Sequence, residues 1–566
     1  MLPITASLMR IQLELVPQWK WDVDIHGYRQ SFTVFVEDGD SNNLLFTTSL
    51  IVQKKHINEP HFIECTLNFV DRLQHNLFVS VISDSWIGSI TRKPIILSGL
   101  NMPKRFPAPT PLLDCPLVPV NVFGASALKN LFDFKFFNKF QSQVFGSLYD
   151  EEESILFCCS KGNGKTTASM LALLSHWKNG KGRAVYLNPI QPEIDQLYKE
   201  WKAKLAKFAV KKNIAKLTND LSSNLKILAS SHLIFATPKQ FDVLTRRWKK
   251  RKNVQSIELL ICDNCHLIGD AREGAIYENV LSRVRFMALN LEKPVRIIAI
   301  GSSLASPRDF AEWLGIHKKN IFDFSSKDRV FPLKVTFEKI EVLHNPSAIE
   351  CMMSPVYEQV QDMDDSIGEQ KAVIFVSTRK ECVNISTAFI ERLASYGNSW
   401  LKAEEDSIKK YVGRIKDSSL KASIMYGIGF YYDGMLRLDK LLVEGLFKAG
   451  ALSCLIATKS TACWCPSGNL VVVMGTKDYI GRDHCYVDYS VNDLFEMIGL
   501  ARNTNGEYSR AVVLTNSDEI EYYKKVIGES LPMESNLNKF IIDFLLNEIS
   551  TGLIKNRQQC VDWITY

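Results

Sequence analysis

From residue 9 to 15 the side chains alternate. Met9, Ile11, Leu13 and Leu15 are apolar, and Arg10, Gln12 and Glu14 between them are polar. A two-residue period of this kind predicts a half-buried strand. Residues 32–36 and 78–82 have a similar look, and turn-formers Glu37, Asp38, Gly39 and Asp40 follow the first of them. These features predict a small antiparallel β-sandwich over residues 1–101, with Trp19, Trp21 and Trp86 expected in its core. A proline-rich stretch, 102–120, reads as an extended linker, because proline fixes φ and turns its neighbour away from helix.

Beyond residue 121 the rhythm changes. Short, mostly apolar runs occur at 155–157, 184–187, 233–236, 259–262 and 295–300, separated by helical stretches. A second series follows at 372–376, 423–425, 454–457, 471–474 and 511–514. Strands apolar on both faces belong in a parallel sheet covered by helices. The fold class is therefore α/β: the sandwich, then parallel-sheet domains over 121–330 and 331–525, then a helical tail, 526–566.

Composition narrows this picture only slightly. A chain of 566 residues needs several cores, and 46% hydrophobic with 23% charged residues is ordinary for globular domains. The net charge of +6 is compatible with nucleic acid without requiring it. Thirteen irregularly spaced cysteines suggest reduced thiols rather than a disulfide framework. No apolar run approaches the roughly 18 residues of a spanning helix. The expectation is a soluble, intracellular protein without membrane contact.

The richest chemistry follows the run 155–157. Cys159-Ser160-Lys161-Gly162-Asn163-Gly164-Lys165-Thr166 leads from a strand into a helix that begins Thr167-Ala168-Ser169. This is the pattern of a phosphate-binding loop, GxxxxGK[ST], with Cys159 in the first glycine position. Glycines let backbone N–H groups turn inward onto phosphate oxygens, and the helix N-terminus adds partial positive charge. Gly162, Asn163, Gly164, Lys165, Thr166 and Thr167 are thus the expected nucleotide-binding residues, with Lys165 on the phosphates and Thr166 on Mg²⁺. Thr237-Pro238 reads as a helix N-cap with proline in the first turn, where phosphate could sit. Cys262-Asp263-Asn264-Cys265-His266 spells a haem-attachment pattern, but its first cysteine ends an apolar run, so no haem is expected. Cys463 and Cys465 have no second pair at metal-ligand spacing, so packed thiols are expected there.

Two parallel-sheet domains with a phosphate loop only in the first resemble the superfamily 2 helicases, and further segments carry the resemblance. Residues 137–143 resemble the adenine-recognition motif, with Gln141 as its glutamine. Residues 236–242 resemble a backbone-gripping motif, Asp263-Asn264-Cys265-His266 a DExH box, and 302–304 the coupling motif. In the second domain, 375–380, 457–462 and 497–503 take the places of the fourth, fifth and sixth motifs. The sandwich and linker ahead of this core resemble the immunoglobulin-like end of one helicase cassette joined to the next, as in the double-cassette spliceosomal RNA helicases of the U-five particle. Residues 558–563 resemble the start of a winged-helix domain, so the chain is expected to be a fragment with most of a second cassette.

The resemblance implies two RecA-like domains, ATP and Mg²⁺ as ligands, and a nuclear location in pre-mRNA splicing. It implies Asp263 and Thr166 on the metal, and Thr237, Pro238, Thr378 and Thr458 on nucleic acid. In that family the second cassette is degenerate, regulates an active N-terminal cassette of the same protein and docks spliceosomal proteins. RNA is left open as a partner. Several residues agree with degeneracy. The water-orienting glutamate is Asn264, and both arginines of the sixth motif are replaced, by Leu500 and Asn503. Arg502 falls in a glycine slot and could substitute only by a shift of register. An amide takes up no proton at neutral pH. Losing a base costs about 10²–10⁴ in rate and losing an arginine finger about 10³–10⁵. ATP binding with little hydrolysis is expected. The alternatives are an active helicase that unwinds small nuclear RNA duplexes, resting on Lys165 and Asp263, and a protein-translocation component, because the sandwich type also occurs in an endoplasmic-reticulum relative.

Overall fold

The computed structural model describes the chain except residues 4–7, 40–42, 69–75, 98–107, 124–130, 179–181, 207–211, 271, 341–344, 365–369, 481–484, 504–507, 529, 531–532 and 566. It divides into two compact units, Met1–Pro107 and Ala108–Tyr566.

The first unit is built from two antiparallel sheets. One holds Leu2–Pro3, Leu8–Leu15 and His61–Asn68, and the other holds Leu44–Gln53, Arg29–Asp38, Asn76–Ser83 and Ile90–Ile96 in that order. The alternation at 9–15 works as expected: Met9 and Ile11 are buried with Val34, Val36, Leu67 and Leu77 in one core. The tryptophans are not in that core. Trp86 is 45% exposed, and Trp19 and Trp21 are half-buried. They form a surface cluster in which Trp19 stacks on Trp21 and His26 links Trp21 to Trp86. Indole is amphipathic, and the Trp86 ring N–H donates to Oε1 of the buried Gln30.

Residues 102–107 of the expected linker lie outside the described residues. Its continuation is docked: Thr110 N donates to Asp323 O, and the Thr110 hydroxyl accepts from Asp323 N.

The second unit carries two parallel sheets. The first runs Ile214–Lys216, Leu233–Ala236, Arg183–Leu187, Ile257–Cys262, Arg296–Gly301, Ile155–Cys158 and Ile321–Asp323. Its strands are apolar throughout because both faces are covered. Phe157, Tyr186, Phe235 and Ile298 enter the core on one side, and Leu156, Val185, Ile234 and Leu260 that on the other. The second runs Leu333–Ile340, Ser509–Asn516, Leu470–Met474, Ala372–Val376, Cys454–Thr458 and Ile428–Tyr431. Residues 423–425, expected as a strand, close the helix Ser418–Met425 instead. Asp417 caps that helix by accepting from Ser419 N and Leu420 N, and the strand begins three residues after it, at Ile428. Local capping outweighed the apolar run.

The tail is helical, Leu537–Ser550 and Arg557–Thr565. The first of these helices is fastened to the first parallel-sheet domain. Buried Glu548 accepts from Arg283 Nε at 2.8 Å, and Arg283 also donates to Asp242 Oδ1 at 2.7 Å. Among the described residues no helix is long and apolar enough to cross a membrane.

Candidate nucleotide site

In a parallel sheet, loops at the carboxyl ends of the strands converge on one edge. That edge carries the phosphate loop after Ile155–Cys158, Asp263 after Ile257–Cys262, and Ser302 after Arg296–Gly301. The loop is shaped by Gly162 and Gly164, with φ of +97° and +93°. Cys159 fits the first glycine position because its side chain faces the core, where burial pushes the thiol up to about 12. Lys165 and the exposed Thr166 open the helix Lys165–Lys178. Lys165 Nζ donates to the Cys159 carbonyl at 3.2 Å.

Gln141 and Asn163 brace the loop. Gln141 forms a capping box with Asn138, and its Nε2 donates to Gly164 O at 3.2 Å. Both ends of its amide are thereby used. Asn163 is 1% exposed, donates to Asp328 O at 2.9 Å and accepts from Val330 N at 3.0 Å. Thr167 N donates to Gly164 O.

The buried Asp263 carboxylate accepts from Tyr186 Oη at 2.6 Å, Asn188 Nδ2 at 3.1 Å and Asn264 N at 2.9 Å. Burial raises its pKa against these bonds. Asn264 is left-handed, with φ 52°, a conformation that asparagine tolerates well. Its Nδ2 donates to Glu193 Oε2 at 2.8 Å. Buried His266 accepts from Ser302 N through Nδ1 at 3.2 Å, and burial pulls its pKa down to about 3. A neutral ring thus links the loop after Ile257–Cys262 to Ser302. Cys262 and Cys265, the cysteines of the haem-like pattern, are buried free thiols.

The second parallel-sheet domain closes over this edge. Lys161 pairs with Glu496 and donates to Ala462 O at 3.3 Å. Leu500 is 4% exposed and belongs to the second domain's core, so it offers nothing to a phosphate, and Asn503 is buried at 6%. Arg502 does reach the phosphate loop from its glycine slot. Its main-chain N donates to Gly468 O, and its Nε lies 3.3 Å from where a Cβ on Gly162 would be. Arg329 is its neighbour. Burial and Arg502 pull the Arg329 pKa down to about 10. Among the described residues, neither guanidinium has a carboxylate at ion-pair distance.

The four threonine and proline positions expected on nucleic acid sit at element ends. Thr237 caps the helix Pro238–Thr245 in a box with Gln240, and Thr378 caps Arg379–Tyr396 in a box with Glu381. The Glu381 carboxylate accepts from Thr378 N at 2.8 Å, so that helix end already carries an anion. The Thr458 hydroxyl bonds Ser460 Oγ.

The motif pattern missed Tyr186, Asn188, Glu193 and Arg329. The one signal that could have found Glu193 is its place in the first turn of a helix that follows a buried strand closely.

The residues present fit Mg·ATP. The glycine turns form a cradle that a Cβ would fill, and Asp263 is held by neutral donors, leaving its charge for a cation. Thr166 and Asp263 would hold Mg²⁺, which when bound neutralises phosphate charge.

Comparison with known proteins shows what the chain is similar to. Residues 138–309 match the family model described as DEAD/DEAH box helicase, and residues 1–96 match the Sec63 Brl domain. The chain is 35% identical over 571 residues to the pre-mRNA-splicing factor brr2 of Schizosaccharomyces pombe. It is 32% identical over 577 residues to the U5 small nuclear ribonucleoprotein 200 kDa helicase of Homo sapiens. In both cases all of this chain is matched, and it spans 26% of the relative, about a quarter of its length. The fold also resembles the DUF1998 helicase MrfA, solved with DNA and AMPPNP, with TM-score 0.54 and 16% identity over 75% of this chain and 56% of that one. The chain thus carries a segment that matches the DEAD/DEAH box helicase family after one that matches the Sec63 Brl domain, and along its full length it is similar to the U5 200 kDa helicases.

Proposed function

We propose that this chain is a degenerate cassette of a spliceosomal RNA helicase. It holds Mg·ATP between its parallel-sheet domains, hydrolyses it inefficiently, and acts in the nucleus as regulator and docking platform for an active cassette and for splicing proteins. The relatives support the setting, because the chain matches one quarter-length segment of splicing helicases. The proposed domains run 1–101, 121–330 and 331–525, with a winged-helix domain starting in 526–566.

One observation carries the reading: the parts that would hold nucleotide are assembled, and the parts that would drive turnover are replaced. Lys165, Thr166 and Asp263 stand at one sheet edge with Gln141 bracing the loop, while Asn264 replaces a carboxylate and Leu500 is buried among apolar side chains. The test is nucleotide retention. Full chain is mixed with labelled Mg·ATP and RNA, isolated, and its bound nucleotide identified. Mostly intact ATP, absent from Lys165→Ala, is expected. Rapid conversion to ADP overturns inefficient hydrolysis, and an empty protein overturns ATP binding.

A second reading, an active RNA helicase, draws on Arg502 standing against Gly162. It requires ATP-driven unwinding of an RNA duplex that Lys165→Ala abolishes.

A further inference from the structure

Glu193 lies in the first turn of the helix Gln191–Leu205, half-buried, at the edge where the two parallel-sheet domains meet. Its Oε2 accepts from Asn264 Nδ2 and from Asn188 Nδ2, each at 2.8 Å. Asn264 occupies the position where a DExH box carries its glutamate. The left-handed backbone of Asn264 thus goes with a side-chain amide that touches a carboxylate from another element. Asn188 also donates to Asp263 Oδ2 at 3.1 Å, so the Glu193 and Asp263 carboxylates lie within about 6 Å of each other around one amide. Ligand atoms of Glu193, Glu496 and Cys463 lie within 4.8 Å of one another. Lys161 pairs with Glu496, so the local charge includes a cation.

We propose that Glu193 supplies the carboxylate missing at position 264: it orients the water that attacks the γ-phosphate and accepts its proton, with Asn264 and Asn188 holding it in place. This rests on the Mg·ATP reading above and accounts for whatever slow turnover the cassette retains. In the step, a bond forms between the water oxygen and the γ-phosphorus, and the bond from that phosphorus to the β,γ-bridging oxygen breaks. ADP leaves with the electron pair, the water proton passes to Glu193, and inorganic phosphate is released.

Three features suit Glu193 to the task. Its two amide partners donate to one oxygen, and among the described residues Oε1 accepts no bond and can take a water. Its carboxylate shares the Asn188 amide with Asp263, which would hold the metal. Burial, with Glu496 and Asp263 nearby, lifts its pKa to about 7, where a carboxylate is a stronger base than in water.

The test measures retention and single-turnover hydrolysis of labelled Mg·ATP on the full chain, in wild type, Glu193→Gln, Asn264→Glu and the Glu193→Gln/Asn264→Glu double variant. Wild type should hydrolyse its bound ATP slowly. Glu193→Gln should retain ATP equally well and hydrolyse it about 10²-fold more slowly or worse, the usual loss for a general base. The double variant exchanges carboxylate and amide between the two positions and should recover turnover. Recovery with glutamine still at 193 shows that Glu193→Gln leaves the fold and the site intact, so that what it loses is a base. Retained ATP hydrolysed at the same rate by wild type and Glu193→Gln overturns the proposal. So does retained ATP that wild type never hydrolyses. If no variant retains ATP, the Mg·ATP reading itself has failed and the proposal falls with it.

Discussion

Lys161 and Glu496 form a half-desolvated ion pair across the cleft, with side chains 17% and 14% exposed. Burial lowers the Lys161 pKa, but Glu496 and Glu193 more than offset it, so the net shift is upward. Burial raises the Glu496 pKa, but Lys161 and Lys165 outweigh it, so the net shift is downward. Both groups are thus stabilised in their charged forms by what faces them. Replacing Lys161 with Met removes the pair and the bond to Ala462 O, and leaves Glu496 with only the more distant Lys165 and Glu193 with only its two amides. Breaking one half of a buried pair costs about 3–5 kcal/mol. Partial exposure lowers that, so about 2–4 kcal/mol is expected to be lost from the closed arrangement. This is roughly a 30- to 1,000-fold change in the ratio of closed to open forms. A double-mutant cycle with Lys161→Met, Glu496→Gln and both together separates the pair from its surroundings. The readout is energy transfer between dyes placed on the two parallel-sheet domains, followed through urea. A coupling energy of about 2 kcal/mol or more is expected. A value below about 0.5 kcal/mol, typical of an exposed surface pair, refutes the reasoning.

Three further outcomes follow from other parts of the chain. Glu548→Ala strips one of two carboxylates from buried Arg283, and hydrogen exchange should show the helix Leu537–Ser550 losing about 3 kcal/mol of protection. Burial raises the Glu548 pKa despite Arg283, so a neutral acceptor is tolerated and Glu548→Gln should cost much less; equal losses would show that the charge itself is required. Gly164→Ala would put a Cβ 2.0 Å from Gln141 Nε2 at a φ of +93°, and filter retention of ATP should fall at least tenfold, at about 1–3 kcal/mol of strain. Burial lifts the Asp323 pKa to about 7, against the bond from Leu304 N. A folded pKa above the unfolded value means stability fully present below about 4 and lost as pH rises through about 7. Asp323→Asn should therefore gain on wild type between pH 4 and 8, by up to about 4 kcal/mol, in thermal melts. An unchanged difference across that range rules the account out.

Much of this was legible along the chain, and particular residues show why. The runs 155–157 and 259–262 foretold strands covered on both faces, because alternate residues of one strand serve the two cores. Thr237-Pro238 foretold a capped helix, because a cap closes within one turn. The phosphate loop needs only its own glycines, Lys165 and the helix that follows. Residues 423–425 were misleading, because an apolar triplet looks the same in a short strand and in the buried side of a helix. Trp19, Trp21 and Trp86 were misplaced because aromatic type says little about which side of a sheet is covered.

What remained hidden depends on residues far apart in the sequence. Asn264 read alone is a lost glutamate. Only the packing of the helix Gln191–Leu205 beside the DExH loop sets it against Glu193, 71 positions away. Arg502 read alone is an arginine in a glycine slot, and only closure of the second domain brings it to Gly162. Lys161 and Glu496 are 335 positions apart and meet for the same reason. The sequence by itself determined most of the strands, the caps and the glycine loop, because backbone geometry and burial on a few neighbouring residues settle them. The tertiary structure decided which charges share the cleft, because ion pairs and amide–carboxylate contacts depend on distances of about 3 Å that local pattern does not encode.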